Sequence, residues 1–394
     1  MQKIWPFSLN FLYFAGVAFT LPFIVLYYQS LELSGAQIGL LMGLTPLLNL
    51  ISAPLWTRFA DVTQKHKLLM GIAMLGVAVM IFLLPFFPDI VLTVLIVVIL
   101  TICFAPVIAF TDSATMFMLE GQKEMYGWIR IGGTFGFGVA GIIAGALIEN
   151  YGLKVAFWSG SMLFFLAFLT SQKMTYPSGS AAAGSNGGIG LLLRDPRWIL
   201  FLILAFAGGL CLTALNNYLF SYMAELGASK QSMGYALTLG TVSEAVFFIF
   251  GNLIIKKFKP YILLLVALLL SGLRLLALAA FNTPEMVLLI QLIGGLSFPA
   301  MWMAGVAYAD ANTQPGMSAT AQGLFGAMVF GFGSAVGGFM GGLLLDSLGG
   351  RGMFLVFGAT VLVIILIVAL IQARIEAQPQ ALVAEINPLK ELEG

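Results

Sequence analysis

The chain of 394 residues is 60% hydrophobic and 9% charged, with a net charge of +1 and a mean hydropathy of +1.01. Soluble domains carry about 25% charged residues, so this composition excludes an ordinary soluble protein and predicts a polytopic membrane protein. The near-neutral charge gives no reason to expect a nucleic-acid partner. Two cysteines, Cys103 and Cys211, are too few for a disulfide framework, and no metal-ligand cluster or cofactor is expected.

Apolar stretches of about 20 residues, the length that crosses a bilayer as a helix, recur along the whole chain. Their boundaries follow from the polar intervals between them. Twelve spans are predicted, at 5–29, 36–57, 67–87, 90–117, 126–149, 153–172, 198–222, 232–255, 260–281, 285–309, 319–344 and 351–372.

Basic residues orient these spans. With the N-terminus in the cytoplasm, thirteen of the eighteen Lys and Arg fall on the inner side, and only Lys154, Lys230 and Arg351 fall outside. An excess of positive charge on the cytoplasmic side is the rule for such proteins. We therefore expect an integral membrane protein, embedded in lipid, with both termini in the cytoplasm. We further expect that this membrane is a bacterial cytoplasmic (inner) membrane and that the protein is a monomer.

One long polar interval divides the chain. Residues 173–197, rich in Gly, Ser and Ala, predict a flexible cytoplasmic linker. It separates an N-terminal six-helix bundle at 1–172 from a C-terminal six-helix bundle at 198–373. Residues 374–394 are expected to form a cytoplasmic tail.

The two halves repeat each other in sequence. GALIENYG at 145–152 parallels GLLLDSLG at 342–349, and YQSLELSGAQIG at 28–39 resembles YMAELGASKQSMG at 222–234. A six-plus-six repeat predicts an all-α membrane protein of two pseudo-symmetric bundles, which is typical of transporters with a solute site near the midplane.

Charged residues inside predicted spans are the first candidates for that site, because a charge in hydrocarbon is costly and normally faces a partner or a watery cavity. Asp112 and Arg130 each lie nine residues from Gly121, so we expect them at matching depth on adjacent antiparallel helices. Glu244 and Arg274 each lie fifteen residues from Lys259 and should share a depth near the midplane.

Four segments give the sequence a specific resemblance. They are LPFIVLYYQSLELSGAQIGLL at 21–41, APLWTRFAD at 53–61, YGWIRIGGTFGFG at 126–138 and ATAQGLFGAMVFGFGSAVGG at 319–338. In order and spacing the chain resembles the major facilitator superfamily, in particular the lactose permease-like, nucleoside/proton symporter and phenylpropionic acid transporter-like branch. The resemblance implies twelve transmembrane helices in two six-helix bundles and secondary transport by alternating access.

The resemblance also implies site residues. It places Asp112 and Arg130 on the solute, where an arginine fork and a carboxylate can grip hydroxyl or carboxylate groups; the alternative is a salt bridge that only joins two helices. It makes Asp61, in the altered loop signature TRFADVTQKHK at 57–67, a gating residue that bridges to a neighbouring helix end; the alternative is an ordinary charged loop.

Proton coupling is expected to differ from that of lactose permease-like proteins, since the matching stretch QLIGGLSFPA at 291–300 in the tenth span offers Gln291 but no titratable group. We assign coupling to Glu244, a carboxylate that can take up a proton, with Arg274 as its partner. The alternatives are a permanent ion pair between the two residues and a facilitator without obligatory proton coupling. Further solute candidates are Tyr28 on the first span, Asn216 and Asn217 on the seventh and Gln291.

The resulting prediction is a secondary active transporter of a small polar organic solute, a sugar, nucleoside or aromatic acid, working as a proton symporter. Abundant Phe and Met leave open a proton-driven exporter of amphipathic compounds. The absence of titratable groups from 291–300, where lactose permease-like proteins have them, leaves open a non-transporting receptor or assembly factor. An enzyme is not expected, because the sequence shows no nucleophile–base arrangement and no phosphate-binding loop.

Overall fold

The computed structural model describes residues 4–119, 122, 125–176, 189–314 and 317–390, with side chains at all of these except 189, 191, 248, 251–256 and 376–390. The predicted linker therefore lies partly outside the described residues, at 177–188, as does Gly121. In chain order the helices are α1 (Ile4–Ser30), α2 (Gly35–Thr63), α3 (His66–Phe86), α4 (Ile90–Met118), α5 (Tyr126–Tyr151), α6 (Lys154–Ser171), α7 (Pro196–Glu225), α8 (Lys230–Lys257), α9 (Pro260–Ala280), α10 (Pro284–Gln291 followed by Gly294–Ala311), α11 (318–348) and α12 (350–390).

These helices account for the predicted membrane crossings. Within the described ranges, nine helices are long and apolar enough to cross a membrane, and the bent α10 adds a tenth. The last of the nine, Ser318–Ile375, is two crossings, because Gly349 has φ 68° and ψ 175° and reverses the chain between α11 and α12. With α8, whose 28 residues extend about 42 Å, the described chain contains the twelve predicted spans.

Helix starts follow signals in the sequence. Ser34 and Gln37 form a capping box at the start of α2, and the Asp89 side chain accepts hydrogen bonds from the first turn of α4. Asp195 caps α7, whose first residue is Pro196. Each device satisfies backbone N–H groups that have no partner inside the helix.

At three places the helices differ from the predicted spans. The predicted loop at 57–67 is helical through Thr63, and the predicted tail is helical up to residue 390. The predicted span 285–309 is broken after Gln291 and bends by 46°. Gly294, Gly295 and Pro299 explain the bend, because glycine and proline weaken a helix, whereas the average hydropathy of a span does not register such a break.

Among the described residues, the most extensive contacts between the halves α1–α6 and α7–α12 join three pairs of helices: α2 with α11, α5 with α8, and α1 with α7. The rings of Phe23 and Phe220 are 4.8 Å apart in the last of these. We call the end at which α2 and α8 begin the contact end, since these contacts run from there towards the middle of the molecule. The opposite end is the one at which α3 and α9 begin.

Candidate functional site

A cavity of about 360 Å³ lies between the halves, near the middle of the helices. Volumes of this order hold small organic molecules. Both halves line it, but its charged and amide groups come from the second half. The polar lining includes Asn216, Asn217, Thr241, Glu244, Arg274, Gln291 and Ser297, and the aromatic lining comprises Phe137, Phe220, Phe298 and Phe330.

The break in α10 shapes one wall of the cavity. Ser243 of α8 contacts the break directly, since its Oγ accepts from the Gly295 N–H (3.0 Å). Its one proton has two acceptors in reach, the carbonyl oxygens of Gly240 (2.8 Å) and Gln291 (3.2 Å). A Cβ at Gly295 would lie 2.1 Å from the Ser243 carbonyl oxygen, so only glycine fits there. Broken helices of this kind form solute sites in transporters, because their freed backbone and side chains face a cavity instead of lipid.

Arg274 and Gln291 are joined across the cavity wall. The Arg274 Nη2 donates to the Gln291 Oε1, and the two residues are 7% and 3% exposed. Within the described chain, Arg274 Nε and Gln291 Nε2 have no hydrogen-bond partner. Two buried donors beside the cavity are therefore left without a partner among the described residues, which is unusual because buried polar groups normally find one.

The expected contact between Glu244 and Arg274 is not found as an ion pair. Both residues line the cavity, as equal depth predicted, but the described residues contain no salt bridge between them within 4.0 Å. The Gln291 amide lies next to the Arg274 guanidinium instead. Glu244, only partly buried, thus faces the cavity without a contact ion pair.

Asp112 and Arg130 do form the predicted pair. Arg130 Nη1 is 3.1 Å from Asp112 Oδ1, and the side chains are 38% and 34% exposed, in that order. The guanidinium also lies 5.1 Å from the centre of the Phe14 ring, a cation–π contact. The pair is not part of the cavity wall: Arg130 precedes Phe137 on α5 by seven residues and lies about 10 Å nearer the opposite end.

Tyr28 does not reach the cavity. Its side chain is fully buried near the contact end of α1, with its ring 6.1 Å from that of Tyr27. The prediction that Tyr28 faces a solute therefore has no support from this geometry. Polar residues near a span end can face neighbouring helices just as well as a cavity.

Asp61 lies at the opposite end. Its Oδ1 is 3.0 Å from His66 Nε2 at the start of α3, and the His66 ring stacks on Tyr176 at 5.9 Å. The partner is at a neighbouring helix end, as expected, but within the same half of the molecule. Its gating role stays a prediction.

Sequence reasoning missed Ser243, Ser297 and the four cavity phenylalanines. The stretch QLIGGLSFP at 291–299, with two adjacent glycines and a proline inside an apolar span, was the signal that could have located the break. Nothing in the sequence distinguishes the cavity phenylalanines from the many that face lipid.

A family model matches most of the chain, covering residues 7–356. The chain belongs to the MFS_1 like family of major facilitator superfamily transporters. This MFS_1 like protein is 28% identical over 376 residues to a maltose permease of Geobacillus stearothermophilus, covering 95% of each chain. It is 26% identical over 360 residues to YwbF, an uncharacterized transporter of Bacillus subtilis (strain 168), covering 88% of this chain and 87% of YwbF.

Among solved structures, the nucleoside transporter NupG superposes on the MFS_1 like protein with a TM-score of 0.83 at 18% identity. The match covers 93% of this chain and 98% of that one. It confirms the predicted fold of twelve helices in two six-helix bundles. Membership of a transporter family also makes the chain an integral membrane transporter of solutes rather than an enzyme.

Proposed function

We propose that the protein takes up a hydroxyl-rich solute, a sugar or a nucleoside, by proton symport across the bacterial cytoplasmic membrane. The observation that carries the proposal is the central cavity, which both halves line and which combines amide and charged groups with aromatic rings. Amides and a guanidinium hydrogen bond to hydroxyl groups, and rings pack on the flat face of a sugar or a base. The maltose permease supports a sugar, and NupG supports a nucleoside.

Alternating access is the proposed route. The helix contacts at the contact end would close the cavity to the outside, with both chain termini in the cytoplasm as the basic residues predict. The structure then represents an inward-facing state. In this proposal Asp112 and Arg130, partly exposed and nearer the opposite end, bind the solute on its way between the cavity and the cytoplasm.

Glu244 is the proposed proton carrier. It is the one carboxyl group among the described residues that line the cavity. Arg274 donates to Gln291 and not directly to Glu244, so the carboxyl group can gain and lose a proton without breaking a contact ion pair. Solute bound to Gln291 would alter the hydrogen bonding of Arg274 and thus its attraction for Glu244, which couples solute to proton.

Uptake into proteoliposomes tests this function. Labelled maltose and uridine are offered under an imposed pH gradient, with a pH-sensitive dye inside. We expect accumulation of one probe with internal acidification; Glu244→Gln should abolish accumulation but keep exchange of the labelled solute. Glu285→Gln, an exposed acid in the first turn of α10 that does not line the cavity, is the matched control.

Two results would contradict the proposal. Absence of uptake and of acidification with both probes would reject the solute class. Undiminished accumulation by Glu244→Gln would reject the proton role of this residue and leave the solute site to be tested separately by Gln291→Ala.

A further inference from the structure

The four repeated stretches of the sequence meet in two crossed pairs at the contact end. The stretches at 28–39 and 222–234 lead into the first turns of α2 and α8, and those at 145–152 and 342–349 end α5 and α11. The end of α11 packs on the start of α2, and the end of α5 packs on the start of α8. Each pair joins one half of the molecule to the other.

In the first pair, a carboxylate caps a helix of the other half. The Gly35 N–H, the first of α2, donates to Asp346 Oδ2 at 3.2 Å. Ser34 accepts the N–H of Gln37 with its own side chain at 3.4 Å. The N–H groups in the first turn of α2 therefore find acceptors both in the preceding serine and in Asp346 of α11.

The second pair repeats this arrangement in the opposite direction. The Lys230 N–H, the first of α8, donates to Glu149 Oε2 at 2.5 Å. Ser229 accepts the N–H of Ser232 at 3.1 Å. The two pairs of helices therefore use the same three groups: a serine before the helix, the first N–H of the helix, and an acid from the other half of the molecule.

Glycines allow these approaches. A Cβ on Gly342 would lie 2.4 Å from the Gly39 nitrogen, and one on Gly234 would lie 2.4 Å from the Gly141 carbonyl oxygen. Small residues at such positions let helix backbones come close. The repeat in the sequence is therefore a repeat of contacts between the halves.

Each carboxylate favours the closed form of the contact end, because it interacts with a helix N-terminus of the other half. The first N–H groups of a helix have no partner within it, and the helix dipole favours negative charge there. Asp346 and Glu149 are exposed at the contact end, so water can solvate them once the halves separate. Such a contact biases an equilibrium between closed and open forms without locking it.

We propose that Glu149 and Asp346 are paired gate residues, which hold the contact end closed by capping α8 and α2 of the opposite half. We call these two contacts the end latches. The inference rests on the proposed alternating access, because a gate has meaning only if the contact end also opens. Both act through helix N-termini and not on the solute, so they are positioning residues for the transport cycle.

Distances between spin labels in the two halves test the end latches. Glu149→Gln, Asp346→Asn and the double variant are compared with the wild type after the native cysteines are replaced by alanine. Labels replace exposed residues, one in each half at either end: Lys154 and Asn282 at the contact end, Lys67 and Lys259 at the opposite end.

We expect each single variant to shift the ratio of closed to open contact end by about two- to five-fold towards open. The double variant should shift it by about three- to thirty-fold, because the latches share no residue. The opposite end should move the other way, towards shorter distances. A general loosening of the protein would instead lengthen or broaden the distances at both ends.

Asn150→Ala and Ser347→Ala are the matched controls. Each residue follows its acid in the same repeat position. Among the described residues its side chain bonds to the preceding turn alone, Asn150 to the Ala146 carbonyl and Ser347 to the Leu343 carbonyl. These controls should leave both distance distributions as in the wild type. An equal shift in the controls would overturn the latch.

The same proteins are assayed for maltose and uridine uptake. Unchanged distances in the double variant of a protein that transports would refute the end latches alone. The proposed function and the gate would both be refuted by one combined result. In that result the wild type transports neither maltose nor uridine, and the wild type and all variants show a single label distance at each end.

Discussion

Asp112 and Arg130 present the clearest choice between a binding and a structural role at the level of single residues. Their ion pair is about one-third exposed, so its net contribution to stability is small, about 0–1 kcal/mol. If the pair binds the solute, Asp112→Asn and Arg130→Lys should each weaken solute binding about ten-fold or more, the loss expected for one hydrogen bond to a charged group, with the apparent Tm nearly unchanged. Titration of purified protein with maltose and uridine measures this.

The exchanged double variant, Asp112→Arg with Arg130→Asp, separates the two roles. A purely structural salt bridge would be restored by the exchange, and binding would return with it. A solute-binding pair would stay inactive, because the donors and acceptors then face the wrong groups of the solute. Wild-type affinity in either single variant would contradict the binding role.

These residues also show what equal sequence distance from a turn can predict. Equal distance from a turn correctly gave the depth of Asp112 and Arg130, and that of Glu244 and Arg274, because helices rise evenly. Depth does not specify the direction of a side chain around the helix axis. The first pair met, whereas Arg274 turned to Gln291 and Tyr28 turned into the protein.

At the level of helices, the break in α10 depends on one close approach. Gly295→Ala would push a Cβ to 2.1 Å from the Ser243 carbonyl oxygen, so the backbone of α8 or α10 must move. Overpacking of this kind costs about 1–3 kcal/mol. We expect a lower apparent Tm and reduced solute uptake, because Gln291 and Ser297 flank the break and line the cavity.

Gly323→Ala on α11 is the control for this substitution. An added Cβ meets nothing within 4 Å there, and alanine is the better helix former by about 1 kcal/mol. Its Tm should equal or exceed that of the wild type. Similar behaviour of the two variants would show that the close approach at Gly295 is unimportant for the fold.

Helix count and the repeat of the two halves were predictable, because both depend on averages over about 20 residues and on matching segments. The helical 57–63 segment was not predictable, since it depends on a local choice between turn and helix that composition leaves undecided. The break in α10 was missed because the average hydropathy of a span hides the two glycines and the proline at 294–299 that could have located it. Which helices of the two halves touch was equally beyond the sequence. The repeated stretches predicted two similar halves, but not that the end of one helix packs on the start of a helix in the other half.

For the whole molecule, Cys211 offers a test of access from each side. Its side chain lies on α7 in the cavity wall, whereas Cys103 lies on α4 outside the cavity lining. In a Cys103→Ala protein, a charged thiol reagent that does not cross lipid should label Cys211 faster from the cytoplasmic side, because the contact end is closed. Mass spectrometry of inside-out and right-side-out vesicles compares the two rates.

Alternating access requires more than this asymmetry: labelling from outside must rise when the contact end opens. The Glu149→Gln, Asp346→Asn double variant should raise the outside rate by about three- to thirty-fold, as the population of the open contact end grows. Bound maltose or uridine should slow labelling from both sides by filling the cavity. A Cys211 that reacts from one side alone, in the wild type and in the double variant, would mean that the halves do not rock about the cavity, and transport would need another explanation.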